Sequence, residues 1–197
     1  MMRPLTAANV NAVVDIHMLC FPDSEATKLG RRFLEGYYAG YCGSSRAVAF
    51  TCTVDDRIVG FIVGGVNIQA LSREIVGRSK AAFVRSAVGN LARNPLRSAR
   101  KLYEYARTYL LPKKHTFYAD DTAGLVSVAV LQDFRRRGIA EKLTCAFLEE
   151  IKRRDIRACR VGVNADNLSA RRLYERLGFK QVNEEGSSYI LTLRDPR

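Results

Sequence analysis

The residues best suited to chemistry lie in the last third of the 197-residue chain. Arg135–Arg136–Arg137–Gly138–Ile139–Ala140 follows the apolar run GLVSVAVL and opens a helix-patterned segment. A helix N-terminus carries unpaired backbone N–H groups and a partial positive charge, so it can hold phosphate. Gly138 and Ala140 keep close approach open, and three guanidinium groups add charge-assisted donors. The combination suits a ligand that carries pyrophosphate. A basic turn capping an ordinary helix is the other reading of the same residues. The stretch is neither a Walker loop nor a GxGxxG fingerprint, because neither spacing occurs.

Other chemistry-bearing groups are sparse. The five cysteines, Cys20, Cys42, Cys52, Cys145 and Cys159, are odd in number and show no CxxC spacing. They argue against a disulfide framework or structural zinc and fit reduced thiols in the cytoplasm. Two histidines, His17 and His115, leave little for a histidine-rich metal site, and no metal is expected. His17 falls inside an amphipathic segment and reads as a satisfied core or boundary residue.

Several elements must position the arginine turn. Residues 2–5 read as a short opening strand and 7–20 as a helix. A second helix, capped by Asp23 or Ser24, carries Leu29, Phe33, Tyr37 and Tyr41 at four-residue intervals. AVAFTCTV and RIVGFIVGG are β-rich runs split by Asp55–Asp56, a hairpin signal. GLVSVAVL reads as a buried central strand. After the turn, Ile139, Leu143, Phe147 and Ile151 define a helix, and ACRVGVN a strand. Asn167 to Leu177 forms a short helix stopped by Gly178. FKQVN and SSYILTL close the chain as a hairpin around Glu184–Glu185–Gly186. The sum is a mixed α/β (α+β) single domain over 1–197, with a helical insertion at 68–119 between the third and fourth strands.

The net charge of +12 is concentrated in that insertion. Residues 1–67 are neutral. Residues 68–119 carry eleven basic residues against Glu74 and Glu104, a net of +9. Within them, 70–111 read as two basic amphipathic helices. No apolar run is long enough to span a bilayer, and the N-terminus lacks the layout of a signal peptide.

A second motif makes the pattern specific. Arg135-x-x-Gly138-x-Ala140 resembles the acetyl-CoA turn of the GNAT superfamily of N-acetyltransferases. Asn167-x-x-Ala170-x-x-Leu173–Tyr174–Glu175–Arg176–Leu177–Gly178–Phe179 resembles that family's second core motif. The resemblance covers about residues 123–193 and is weaker at the start of the chain. Ala140 stands where many members have glycine, and Leu131–Gln132 replace a polar-Pro pair.

The resemblance implies the GNAT fold, a mostly antiparallel mixed sheet flanked by helices. It implies transfer of acetyl from acetyl-CoA to the primary amine of a small molecule, by direct attack in a ternary complex. The fourth strand would bulge and splay from the fifth, with the backbone of Val128 and Val130 holding the pantetheine arm. Arg135, Arg136, Arg137, Gly138, Ile139 and Ala140 would hold phosphates. Tyr174 sits at the position of the family's general acid, and Asn167 would cap its helix or hold the cofactor arm. Asp120, Asp121 and His115 are candidate bases, each more ordinarily a surface group. Glu25, Glu35, Tyr37, Tyr38 and Tyr41 are candidate acceptor contacts. Cys145 reads as packing, not as a nucleophile. The insertion is open to three readings: a lid over an anionic acceptor such as an amino sugar, peripheral contact with anionic lipid through 70–111, or a solvated helical hairpin. Nucleic acid is set aside because no recognition fold or stacking motif accompanies the arginines. A CoA-binding module without catalysis, acting on membrane or nucleic acid, is the rival from another class.

Overall fold

The computed structural model describes residues 1–75, 77, 121–182 and 188–193. Strands β1 (Met2–Pro4), β2 (Ala47–Val54), β3 (Arg57–Val66), β4 (Thr122–Val130), β5 (Ala158–Gly162), β6 (Lys180–Gln181) and β7 (Ser188–Thr192) form one sheet. Its order is β1-β2-β3-β4-β5-β7-β6. All neighbours pair antiparallel except β4 and β5, which are parallel. The sequence expectation of a mostly antiparallel mixed sheet holds.

Two cores sandwich the sheet. On one face, α1 (Val10–Cys20) and α3 (Arg31–Cys42) bury Val13, Val14, Phe33, Leu34 and Tyr38 against Phe61 and Val63 of β3. On the other, α4 (Ile139–Arg153) buries Leu143, Phe147 and Ile151 against Val59 and Ile62. Strand β3 is therefore apolar at successive positions, because alternate side chains enter different cores. The Asp55–Asp56 turn has φ of 47° and 59°, as a two-residue type I′ hairpin needs.

One boundary differs from the sequence reading. The expected second helix is two helices, α2 (Glu25–Leu29) and α3, broken at Gly30 with φ 99° and ψ 168°. The four-residue stripe of Leu29, Phe33, Tyr37 and Tyr41 crosses the break with its spacing intact, so periodicity concealed it. Ser24, not Asp23, caps α2 by accepting from the Thr27 N–H at 3.1 Å. Residues 68–75 are helical. The rest of the expected helix pair at 70–111, Gly77 apart, and the hairpin tip at 184–186 lie outside the described residues.

The register of β3 on β4 shifts once. Val63 faces Ser127 while Gly64 faces Leu125, so Val126 is an extra residue, a β-bulge. Gly64 makes the bulge sterically feasible: a β-carbon there would run into the Gly124 carbonyl and the Phe147 ring, 2.8 Å away. Overpacking of this kind costs about 1–3 kcal/mol. Gly64→Ala is expected to lower stability by that amount in urea denaturation, and a midpoint equal to wild type would show that the ladder absorbs the methyl.

Candidate active site

Strands β4 and β5 pair only from Thr122↔Ala158 to Leu125↔Val161. Beyond that point β4 runs on to Val130 while β5 ends at Gly162. The gap widens into a cleft of about 360 Å³. Val126, Ser127 and Val128 line one side, and Val161 to Asn164, Asn167 and Tyr174 the other. His17, Phe21, Ser24, Tyr37 and Tyr38 of the N-terminal helical region complete the lining. Every described lining side chain is uncharged, His17 included once its titration is considered.

The bulge decides which backbone groups face this gap. The Leu131 N–H donates to the Val59 carbonyl at 2.9 Å. In an antiparallel ladder, bonded and non-bonded pairs alternate. Ala129 and Ser127 therefore turn their N–H and C=O groups to β3, and Val128 and Val130 turn theirs to the open side. On the other side of the bulge, the Asn67 N–H donates to the Thr122 carbonyl. There Ala123 and Leu125 face β5. The extra residue thus switches the set of residues that looks away from β3. The carbonyl of Val130 is already engaged, by Arg135 Nε at 3.0 Å and the Cys20 thiol at 3.5 Å.

The arginine turn leads from the end of β4 into α4. Gly138 is the N-cap residue, with φ 72° and no side chain to satisfy the first-turn amides. A β-carbon built on Gly138 would meet nothing within 4 Å, so space lies open above the helix terminus. Ile139 is buried, and Ala140 is partly buried behind it. The three arginines differ. Arg135 folds back on Val130, and one of its terminal nitrogens lies 3.9 Å from Cys20 Sγ. Arg137 stacks over Phe134 at 5.1 Å, and Arg136 is exposed with φ 60°.

Tyr174 lies on α5 (Leu168–Arg176) and is only 3% exposed. Its hydroxyl has no hydrogen-bond partner among the described residues, although buried phenols ordinarily find one. Burial pushes this phenol well above its usual range, and neighbouring Cys159 adds to the shift. Cys159 is itself fully buried, and burial pushes its thiol up to about 12. Asn167 caps α5: its side-chain oxygen accepts from the Ala170 N–H at 3.1 Å.

The remaining candidates separate by position. Tyr37 and Tyr38 line the cleft, whereas Tyr41 is core, its hydroxyl 3.1 Å from that of Tyr37. Glu25 pairs with Lys28 and Glu35 with Arg31 on the surface. Asp121 lies outside the cleft lining and pairs with Arg157 at 3.6 Å. Asp120 and His115 lie outside the described residues. Cys145 is away from the cleft, and its thiol is pushed up by burial, Glu141 and Glu149. Sequence reading placed His17 as a satisfied residue, which its contacts to Tyr38 and Ser24 bear out. It missed that His17 also lines the cleft. The signal was one polar ring a helical turn past Val13 and Val14, on the buried stripe.

The one parallel strand pair among the described strands thus splays open and leads into a glycine-capped helix. The chain belongs to the acetyltransferase (GNAT) family, whose model matches residues 10–179. It is similar to the [ribosomal protein bS18]-alanine N-acetyltransferase of Escherichia coli (strain K12), with 32% identity over 72 residues. That match takes in 36% of this chain and 49% of the relative, so the chain spans about half the length of the curated relatives it matches. In structure it is similar to the paiA N-acetyltransferase from Thermoplasma acidophilum in complex with coenzyme A. The TM-score is 0.57 at 13% identity, over 96% of this chain and 95% of that one. It is also similar to aminoglycoside N-acetyltransferase AAC(6')-Iy in complex with CoA, with a TM-score of 0.62 at 11% identity. That alignment covers 93% of this chain and 90% of the other. Both structural likenesses are at the level of fold.

Burial pushes the His17 imidazole from 6.5 down to about 4. The folded state therefore resists protonation that the unfolded chain accepts. The associated stability is complete above pH 6.5 and is lost as pH falls toward 4. The difference in unfolding free energy between wild type and His17→Asn should shrink by roughly 2–3 kcal/mol between pH 7 and pH 4. Guanidinium titrations at the two pH values measure it, and a constant difference would show that His17 titrates normally.

Proposed function

We propose that the chain is an acetyl-CoA-dependent N-acetyltransferase that acetylates a primary amine by direct attack in a ternary complex. The observation that carries this reading is the buried Tyr174 hydroxyl, unpartnered among the described residues, on the wall of a cleft opposite the outward-facing backbone of Val128. The residues present fit acetyl-CoA. The open space above Gly138 and the first-turn amides suit pyrophosphate, with Arg136 and Arg137 at hand as cations. The gap between β4 and β5 suits an extended arm. Acetyl-CoA supplies a thioester whose carbonyl carbon is the electrophile.

Each residue then has a task. The Val128 N–H offers a donor for the carbonyl oxygen, a fixed dipole that needs no reorganisation. Asn167 fixes the start of α5 and, through it, Tyr174. The Tyr174 phenol keeps its proton throughout the neutral range and so faces a departing thiolate as a donor. An ordinary thiol has a pKa of about 8.5, below that of this phenol, so the hydrogen bond itself carries most of the stabilisation.

The acceptor is a small-molecule amine, an anionic amino sugar being the preferred class. The described cleft supplies no charge for an anion, so attraction would come from the +9 segment at 68–119. Among the described residues the cleft lining also presents no carboxylate to hold a polyamine. Thiol release from acetyl-CoA with glucosamine 6-phosphate, spermidine, an alanyl dipeptide and Nα-acetyl-lysine ranks these classes. CoA binding without thiol release from any of them would favour the non-catalytic module.

Two substitutions test the machinery. Tyr174→Phe should lower kcat by about 10²-fold, the lower end for a lost general acid, while CoA affinity by calorimetry stays unchanged. Turnover equal to wild type would remove Tyr174 from the acid role. Gly138→Glu puts bulk and negative charge where phosphate would sit. Calorimetry should find no CoA binding by the folded variant, and retained affinity would place the phosphates elsewhere.

A further inference from the structure

Most polar side chains of the cleft are already bonded within the protein. His17 holds Nδ1 2.6 Å from the Tyr38 hydroxyl and Nε2 3.1 Å from Ser24 Oγ. The Ser24 hydroxyl also bonds the Thr27 hydroxyl and accepts the Thr27 N–H. The Tyr37 hydroxyl lies 3.1 Å from that of Tyr41, and the Asn167 side-chain oxygen caps α5. Among the described residues, the side chains of Tyr174, Asn164 and Ser127 line the cleft without a hydrogen-bond partner. Tyr174 has its task at the departing thiolate, and Asn164 is exposed on the loop beyond β5. Ser127 is left, partly buried within β4 and without a role.

The bulge decides where Ser127 points. Gly64 looks toward α4, since a β-carbon there would meet the Phe147 ring at 2.8 Å, and its partner Leu125 is buried in the same core. Strict alternation would send residue 127 to that side as well. The extra residue at Val126 reverses the sense. Ser127 pairs with Val63, whose side chain is buried with α1 and α3, and paired residues of an antiparallel ladder share a face. Val128 pairs with Ile62 on the α4 side. The Ser127 hydroxyl therefore stands on the side of the cleft lined by His17, Phe21, Ser24 and Tyr37, one residue before the Val128 N–H.

We propose that Ser127 is a catalytic residue on the acceptor side: its hydroxyl oxygen receives an N–H of the attacking amine. The inference deepens the acetyl-transfer reading and rests on it. In that reading the Val128 N–H holds the thioester carbonyl oxygen in the gap between the strands. Consecutive Cα atoms are about 3.8 Å apart, so an amine entering from the side of α1 and α3 meets the Ser127 hydroxyl beside the carbonyl. Attack places the nitrogen lone pair in a new C–N bond and moves the carbonyl π pair onto oxygen. Collapse then breaks the C–S bond; the nitrogen sheds one proton and the thiolate gains one, leaving an amide and a free thiol. Between these events the nitrogen is cationic, and a hydrogen bond from its N–H to Ser127 is at its strongest. The contact therefore favours the transition state over bound substrate. It binds a neutral amine without a carboxylate, in accord with the uncharged described lining.

Ser127→Ala removes an oxygen that bonds no described residue, so CoA affinity by calorimetry should match wild type. With acetyl-CoA and the most reactive amine of the panel above, kcat should fall about tenfold, the low end for a hydrogen bond to a charged group, and the amine KM should change less. Ser127→Thr restores a hydroxyl on the same carbon and should recover most of the loss. Ser127→Val matches threonine in shape but lacks the oxygen, and should stay as slow as alanine. Wild-type turnover in Ser127→Ala, or valine as active as threonine, would overturn the proposal and leave acetyl transfer standing. Absence of thiol release by the wild-type chain from every amine would overturn the acetyl-transfer reading, and this inference with it.

Discussion

One unpaired residue in β4 organises the site. Val126 has no partner across β3, and the register shift it causes changes which backbone groups look outward along the rest of the strand. Up to Leu125 the odd-numbered residues satisfy β5; from Val128 the even-numbered ones face the gap. A strand without the bulge would present the same alternation throughout and would have less reason to leave its neighbour. The lattice that permits this is tight, because Gly64 leaves no room for a methyl between the Gly124 carbonyl and the Phe147 ring. The bulge therefore depends on a glycine in the neighbouring strand and on an aromatic ring of α4.

The parallel pairing of β4 and β5 has a second consequence. Parallel neighbours cannot be joined by a tight hairpin and need a crossover, here α4. A crossover helix that follows β4 after only the short turn from Leu131 to Gly138 starts near the end of the gap. The open helix terminus at Gly138 and the cleft between the strands thus come from one topological fact. Burial then sets the chemistry inside. It raises the Tyr174 phenol and the Cys159 thiol and lowers the His17 imidazole. All three shifts favour the neutral form, as desolvation requires. The described lining, His17 and Tyr174 among it, therefore offers hydrogen-bonding groups and no fixed charge.

The sequence made some of this legible and hid the rest for identifiable reasons. The arginine turn and the Asn167–Phe179 helix were readable because both are patterns of local spacing. The strands along the chain followed from hydropathy, and the mostly antiparallel mixed sheet from the resemblance that the two motifs carry. Gly30 was hidden because a helix break between two collinear stripes leaves the four-residue period unchanged. The family resemblance implied a bulge in β4, but its place at Val126 was hidden because GLVSVAVL is nearly continuous in apolar residues, so a one-residue slip leaves no mark in its pattern. His17 looked like core because its stripe is core; its place in the cleft depends on α3 and on the cap of α2, which are distant in sequence.

Arg135 shows how a motif residue can serve the site without touching a ligand. The carbonyl of Val130 faces away from β3, and β5 has already ended, so no strand is there to pair it. An orphaned carbonyl at the edge of a core is costly. Arg135 Nε and the Cys20 thiol satisfy it from opposite sides in sequence, one after β4 and one from the end of α1. This satisfies one of the outward groups at the end of β4 and leaves both outward backbone groups of Val128 facing the gap. It also ties the turn to α1, three residues past His17, so the start of α4 and the His17 side of the cleft share one fastening. The arginines therefore differ: Arg135 holds the strand end, whereas Arg136 and Arg137 are exposed and leave Val130 to it.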